Sequence, residues 1–227
     1  MPRFHWLVVQ EGQLPLRPDR HFAAFEHRPT VTLIWREGTA PNRENSLLVD
    51  PYFTPSGFQG AVETLRTKGI SFAEIGTYFV THQHYDHMLR LPIDSLHLPF
   101  QAVTEAPESI RAVSCPGHDA DLRALAFTST DDKRVWVVSD AVLDEEWLRA
   151  WGYYYPNQYS PEEIMQTWRS IGAIFADADV IIPGHGAPIQ VNRTLVEALI
   201  ADFSKAEYAK ECPDVLEALR ERLANLP

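Results

Sequence analysis

Between residues 81 and 87 the chain reads Thr81-His82-Gln83-His84-Tyr85-Asp86-His87, so three of its nine histidines and one aspartate fall within six positions. The run follows an apolar stretch, 75–80, with the composition of a buried strand. On extended or turn backbone, alternate side chains point the same way, which lets His82 and His84 aim at one point. Two ring nitrogens from one short segment reach one ion with little loop-closure entropy. Asp86 and His87 fall after the strand has ended and can face a second ion beside the first. Imidazole nitrogen with carboxylate oxygen is a donor set for borderline-soft divalent ions, Zn²⁺ above all, with Mn²⁺ and Fe²⁺ also accepting it.

Four ligands in one loop cannot close two sites, so the remaining donors must come from elsewhere. Three later residues each close an apolar strand and sit in a turn. His118 follows Val113-Ser-Cys-Pro-Gly, Asp140 follows Val135-Trp-Val-Val-Ser, and His185 follows Val180-Ile-Ile-Pro-Gly and precedes Gly186. Ligands carried on loops at one sheet edge are the expected way to assemble such a site.

The rest of the chain supports a layered α/β reading. Segments 4–9, 30–36 and 46–49 read as strands, and 58–68 as a short helix closed by Gly69. Segments 112–114, 125–128, 134–138 and 180–182 read as further strands. Ser160 is the predicted N-cap of a helix with Pro161 at N1 and Glu163 completing a capping box; Ile164, Trp168, Ile171 and Phe175 form its buried face. Segments 194–210 and 213–226 read as amphipathic helices packed on the same domain, and they offer a surface for a homodimer. Strands first, helices interleaved and two similar halves predict one domain over residues 1–227, a sandwich with helices outside two sheets.

In its His-x-His-x-Asp-His signature and the later His118, Asp140 and His185, in that order, the chain resembles the metallo-β-lactamase superfamily over roughly residues 46–189. The stretch around His185 is similar to that of its small single-domain hydrolases, the glyoxalase II and metallo-β-lactamase domain-containing protein 1 type. The resemblance implies a four-layer αβ/βα sandwich with two ions at one edge. His82, His84 and His118 would hold one ion, and Asp86, His87 and His185 the other. Asp140 would bridge both together with a hydroxide, and Asp50, in Leu47-Leu-Val-Asp-Pro, would support the metal loop from behind. Secreted β-lactamases of this superfamily lack the bridging carboxylate, and sulfur dioxygenases dispense with some ligands of the second ion. Both are disfavoured here.

These residues predict a metal-dependent hydrolase in which a metal-bridging hydroxide, with Asp86 and Asp140 in the catalytic set, cleaves a small ester, thioester or lactone. The alternatives are a phosphodiesterase or nuclease of the same superfamily and a non-catalytic metal-binding regulator. A net charge of −11 argues against a nucleic-acid partner. The chain has two cysteines, no signal-like start and no run of eighteen apolar residues, so it reads as cytoplasmic with no membrane span. Tyr153, Tyr154 and Tyr155 are the expected source of substrate specificity. His5, His21, His27 and His97 are read as ordinary surface or core histidines, Asp144, Glu145 and Glu146 as a solvated helix start, and Cys115 as packing.

Overall fold

Alternation within the strands decides the layering of this protein. In the computed structural model, which describes residues 2–23 and 26–227, β1 (Phe4–Gln10), β2 (Val31–Arg36) and β3 (Ser46–Val49) form an antiparallel run. Helix α1 (Pro55–Thr67) then crosses to β4 (Thr77–Phe79), which lies parallel to β3, and β5 (Gln101–Ala102) closes the first sheet. The second sheet begins with β6 (Arg111–Ser114), β7 (Arg123–Thr128) and β8 (Arg134–Ser139). Helices α2 (Glu145–Arg149) and α3 (Pro161–Asp177) then cross to β9 (Val180–Pro183), parallel to β8, and β10 (Ile189–Gln190) forms its edge. Helices α4 (Arg193–Phe203) and α5 (Pro213–Asn225) complete the chain.

Successive side chains on a strand face opposite ways. Leu47 and Val49 of β3 therefore meet Val135 and Val137 of β8 in the core between the sheets, with Phe79, Phe127 and Ile182. Leu48 of β3 points outward to Ala61 and Leu65 of α1, while Trp136 and Val138 of β8 point outward to Trp168 and Phe175 of α3. Helix, sheet, sheet and helix are thus stacked in four layers, as expected.

Several boundaries differ from the sequence reading, each for a local reason. Helix α1 starts three residues early because Thr54 caps it, its hydroxyl accepting from the Gly57 N–H at 3.1 Å. Ser160 and Glu163 form the predicted capping box. Helix α4 stops at Phe203, well short of residue 210, and the chain turns so that the Tyr208 ring lies 6.1 Å from that of Trp168. The apolar faces of α4 and α5 are spent inside the chain, on Leu195, Leu199, Phe203, Val215 and Leu219. Asp144 is not a solvated helix start: it is buried, caps α2 through the Trp147 N–H and lies 2.9 Å from Arg17. Among the described residues no helix is long and apolar enough to cross a membrane.

Candidate metal centre

Parallel strand pairs leave their carboxyl ends on one edge, and loops leaving that edge are where α/β folds gather chemistry. Asp50 follows β3, Thr81 and His82 follow β4, His118 follows β6, Asp140 follows β8, and His185 follows β9. Asp50 and Ser139 both turn away from their strands in the left-handed region, at φ 51° and 48°. Holding two non-glycine residues there costs on the order of 1 kcal/mol each. The compensation is a buried hydrogen-bond cluster on Asp50. Its carboxylate accepts from the Thr81 N–H, the Thr81 hydroxyl and the Ser139 hydroxyl, each at 2.8 Å, and lies 3.0 Å from Nδ1 of His87.

That last contact sets the direction of the fully buried His87 ring. With Nδ1–H given to Asp50, Nε2 is left facing the cluster, the arrangement by which a carboxylate orients a metal-ligating imidazole. The other rings are anchored the same way. Tyr159 Oη lies 2.7 Å from Nδ1 of His118, and the Arg28 carbonyl lies 2.8 Å from Nδ1 of His185. Gly184 is required beside Asp140, because a Cβ there would lie 1.9 Å from the carboxylate.

The inward-facing atoms form two groups that meet at Asp140, and Asp86 joins the second through His185. Oδ2 of Asp140 lies 3.1 Å from Nε2 of His118, which is 2.9 Å from Nδ1 of His84; His82 completes this first group. Oδ1 lies 3.3 Å from Nε2 of His87 and 3.2 Å from Nε2 of His185. Asp86 stands on the outer side of the second group, its Oδ2 3.7 Å from His185 and 3.9 Å from His87. An ion with bonds of about 2.0–2.1 Å places its donors roughly 3.0–3.4 Å apart, so the separations around Asp140 fit metal ligation, while those of Asp86 are a few tenths of an ångström longer. Nε2 of His82, Nε2 of His87 and Oδ1 of Asp140 are buried without a hydrogen-bond partner, an arrangement that proteins otherwise avoid. All seven sequence-predicted ligands are thus brought together.

Electrostatics point the same way. Burial pushes the His82 imidazole down to about 4 and that of His118 down to about 3, leaving both rings neutral. His87 moves upward, because Asp140 and Asp50 outweigh its burial. Burial alone would raise Asp86, yet its hydrogen bond to His27 and the nearby His87 hold it at about 2. Asp140 is likewise held well below the usual carboxylate range, burial being outweighed by His185, His87 and His118. Neutral rings at His82 and His118 beside the ionised Asp140 are the protonation states that a cation needs, whereas His87 would give up its extra proton on binding one.

Two participants escape the sequence reading. His27, taken as an ordinary histidine, lies with Nε2 3.0 Å from Oδ2 of Asp86 and within reach of His185. It carries no spacing signal, since neither neighbour in sequence is a ligand. Tyr159 closes the aromatic stretch, Trp151 to Tyr159, that carries the three tyrosines expected at the pocket, but nothing in that stretch distinguishes it as the partner of His118. Of the three tyrosines expected in the pocket, Tyr154 lines a cavity of about 240 Å³ that opens on His84, Asp86, Asp140 and His185. Tyr153 instead borders a narrow crevice behind His118. Tyr155 packs behind that lining, beside Trp147 and Tyr154 and with the Arg20 guanidinium over its ring. Cys115 is buried, and its thiol is pushed up to about 11 by burial, which suits packing.

No protein family and no curated protein matches the chain. Solved structures do. A protein from Thermotoga maritima assigned to the metallo-β-lactamases matches with a TM-score of 0.54 and 16 % identity, over 83 % of this chain and 100 % of its own. A hydrolase of the β-lactamase superfamily designated AbOPH matches with a TM-score of 0.52 and 10 % identity, over 80 % of this chain and 87 % of its own. The chain has the metallo-β-lactamase fold.

Proposed function

We propose that the chain is a metal-dependent hydrolase of the metallo-β-lactamase superfamily that works with two divalent transition-metal ions, zinc being the first choice, on a small ester, thioester or lactone. The observation that carries this reading is the division of Asp140, with Oδ2 turned to His118 and Oδ1 to His87 and His185. His82, His84, His118 and Asp140 would hold one ion, and Asp86, His87, His185 and Asp140 the other. Two such ions would supply an activated water near neutral pH and Lewis-acid polarisation of the scissile group.

The protein's own residues set the geometry for that chemistry. Asp140 would hold the two ions at a set separation through its one carboxylate. Asp50, Tyr159 and the Arg28 carbonyl orient His87, His118 and His185, so each ring presents its other nitrogen inward. Asp86 and Asp140, both held below the usual carboxylate range, would balance the charge of the ions. Above them the cavity is walled by Leu14, Leu143, Tyr85, Tyr154 and Asn157, with no lysine or arginine among the described lining residues. Such walls suit a small uncharged acyl group better than a phosphodiester, whose anion is ordinarily met by basic side chains.

Assaying the metal-loaded protein on p-nitrophenyl esters, thioesters, lactones and bis-p-nitrophenyl phosphate tests the reading. Turnover is expected on an acyl substrate. Activity confined to the phosphodiester would overturn the substrate class, and full metal content with no turnover anywhere would favour a binding role.

A further inference from the structure

The seven ligands above leave out His27, whose position is built by contacts to the very loop that carries His185. The Thr30 N–H donates to the Gly184 carbonyl at 2.6 Å, and the Thr30 hydroxyl exchanges hydrogen bonds with the Gly186 carbonyl and N–H at 3.0 and 3.1 Å. Arg28 supplies the carbonyl that anchors the His185 ring. Gly12 passes so close that a Cβ would lie 2.5 Å from the His185 Cα. Gln13 and Arg28 then pair N–H to carbonyl in both directions, at 2.8 and 3.1 Å, bracing the two ends of the segment against each other. His27 is therefore delivered by a segment clamped to the second metal position.

Its side chain uses that placement. Nε2 lies 3.0 Å from Oδ2 of Asp86, and the ring centroid lies 5.1 Å from that of His185. One donor atom from each of His27, Asp86 and His185 falls within 4.8 Å of the other two. Nδ1 faces the Tyr85 hydroxyl at 3.4 Å, so Nε2 is the nitrogen turned inward. The side chain is only 28 % exposed and lines the cavity above the ligands.

Building on the two-ion reading, we propose that His27 is a further protein ligand of the second ion, binding through Nε2 beside Asp86 and His185. The two positions then differ in kind. The first offers four protein donors (His82, His84, His118 and Asp140). The second would offer five (His27, Asp86, His87, His185 and the other oxygen of Asp140) once two overlapping groups that share His185, namely His27–Asp86–His185 and His87–Asp140–His185, close on one ion. Four donors suit tetrahedral Zn²⁺, whereas five suit an ion that takes five or six ligands, such as Mn²⁺, Fe²⁺ or Co²⁺.

Co²⁺ titration of the metal-free protein, followed by visible absorption and by chelator competition, tests this on wild type, His27→Ala and His27→Gln. Wild type should bind two equivalents, one with the weak absorption of five- or six-coordinate Co²⁺. In both variants one dissociation constant should stay unchanged and the other should rise by about 10–100-fold, a loss at least as large as that from removing a supporting group. The weak absorption band should intensify as the coordination number falls. Two unchanged constants and an unchanged spectrum in His27→Ala would overturn the proposal while leaving the two-ion reading intact. Wild-type behaviour in His27→Gln alone would also overturn it, because glutamine keeps a hydrogen bond to Asp86 and loses the imidazole. Uptake of a single equivalent by wild type would overturn both.

Discussion

The two halves of the metal centre are assembled in different ways. His82, His84 and His118 come from two loops, and the Tyr159 hydroxyl backs the His118 ring from the crevice side. The second group draws Asp86, His87 and His185, with His27 beside them, from three separate parts of the chain, and it borders the open cavity. Its support is correspondingly deeper: Asp50 ties β3, β4 and β8 together behind His87, and Arg28 and Thr30 brace His185. A short contiguous motif can specify a site locally, whereas a site gathered from distant segments depends on how the whole sandwich closes.

Asp140 joins the halves, so its loss should have the largest effect. Asp140→Ala should lose at least one ion and reduce turnover by a factor on the order of 10²–10³, measured by elemental analysis and steady-state kinetics. Retained activity with both ions would remove the link between the halves. Asp50→Asn should act mainly on the second side, since it reaches the first only through the Thr81 hydroxyl, which lies 3.1 Å from Nδ1 of His82. It leaves His87 without its carboxylate partner and should weaken one of the two metal equivalents by about 10–100-fold in chelator competition. Equal weakening of both would mean that Asp50 holds the sheets rather than the ring.

Tyr159→Phe sharpens the contrast from the other side. Removing the hydroxyl at Nδ1 of His118 should weaken the opposite equivalent by about tenfold, the low end of such effects, and spare the one that Asp50 affects. Phosphorus-free buffers and a single competing chelator would make the two variants directly comparable.

How much of this was legible in the sequence follows the same division. The motif from His82 to His87 names its own chemistry, and His118, Asp140 and His185 are marked by turns that end apolar strands. The four layers were readable because β3 and β8 alternate between the intersheet core and the helices. His27 was not readable, since its meeting with Asp86 depends on the docking of Gly12, Arg28 and Thr30 against the loop from Gly184 to Gly186. Asp144 was misread for a similar reason: its partner, Arg17, lies 127 positions away in the sequence.

The smallest expected effect lies away from the centre and serves as its control. Asp179 bonds Arg134 and the buried Arg222, and although burial opposes it, those bonds hold its carboxyl down to about 2. A depressed folded-state value adds stability above the ordinary aspartate range, and that contribution is lost as pH falls from 3.8 towards 2. Asp179→Asn should therefore lower Tm by about 2–4 °C at neutral pH, with the gap to wild type closing as the pH drops through that window. Metal content should not change. A shift in metal content would show that the β8–β9 end far from the ligands also sets the site.

Asp140 can join two ions only if the chain binds two. Elemental analysis of the wild-type protein, loaded and freed of excess metal, should find about two transition-metal ions per chain. A value near one would contradict the bridging role.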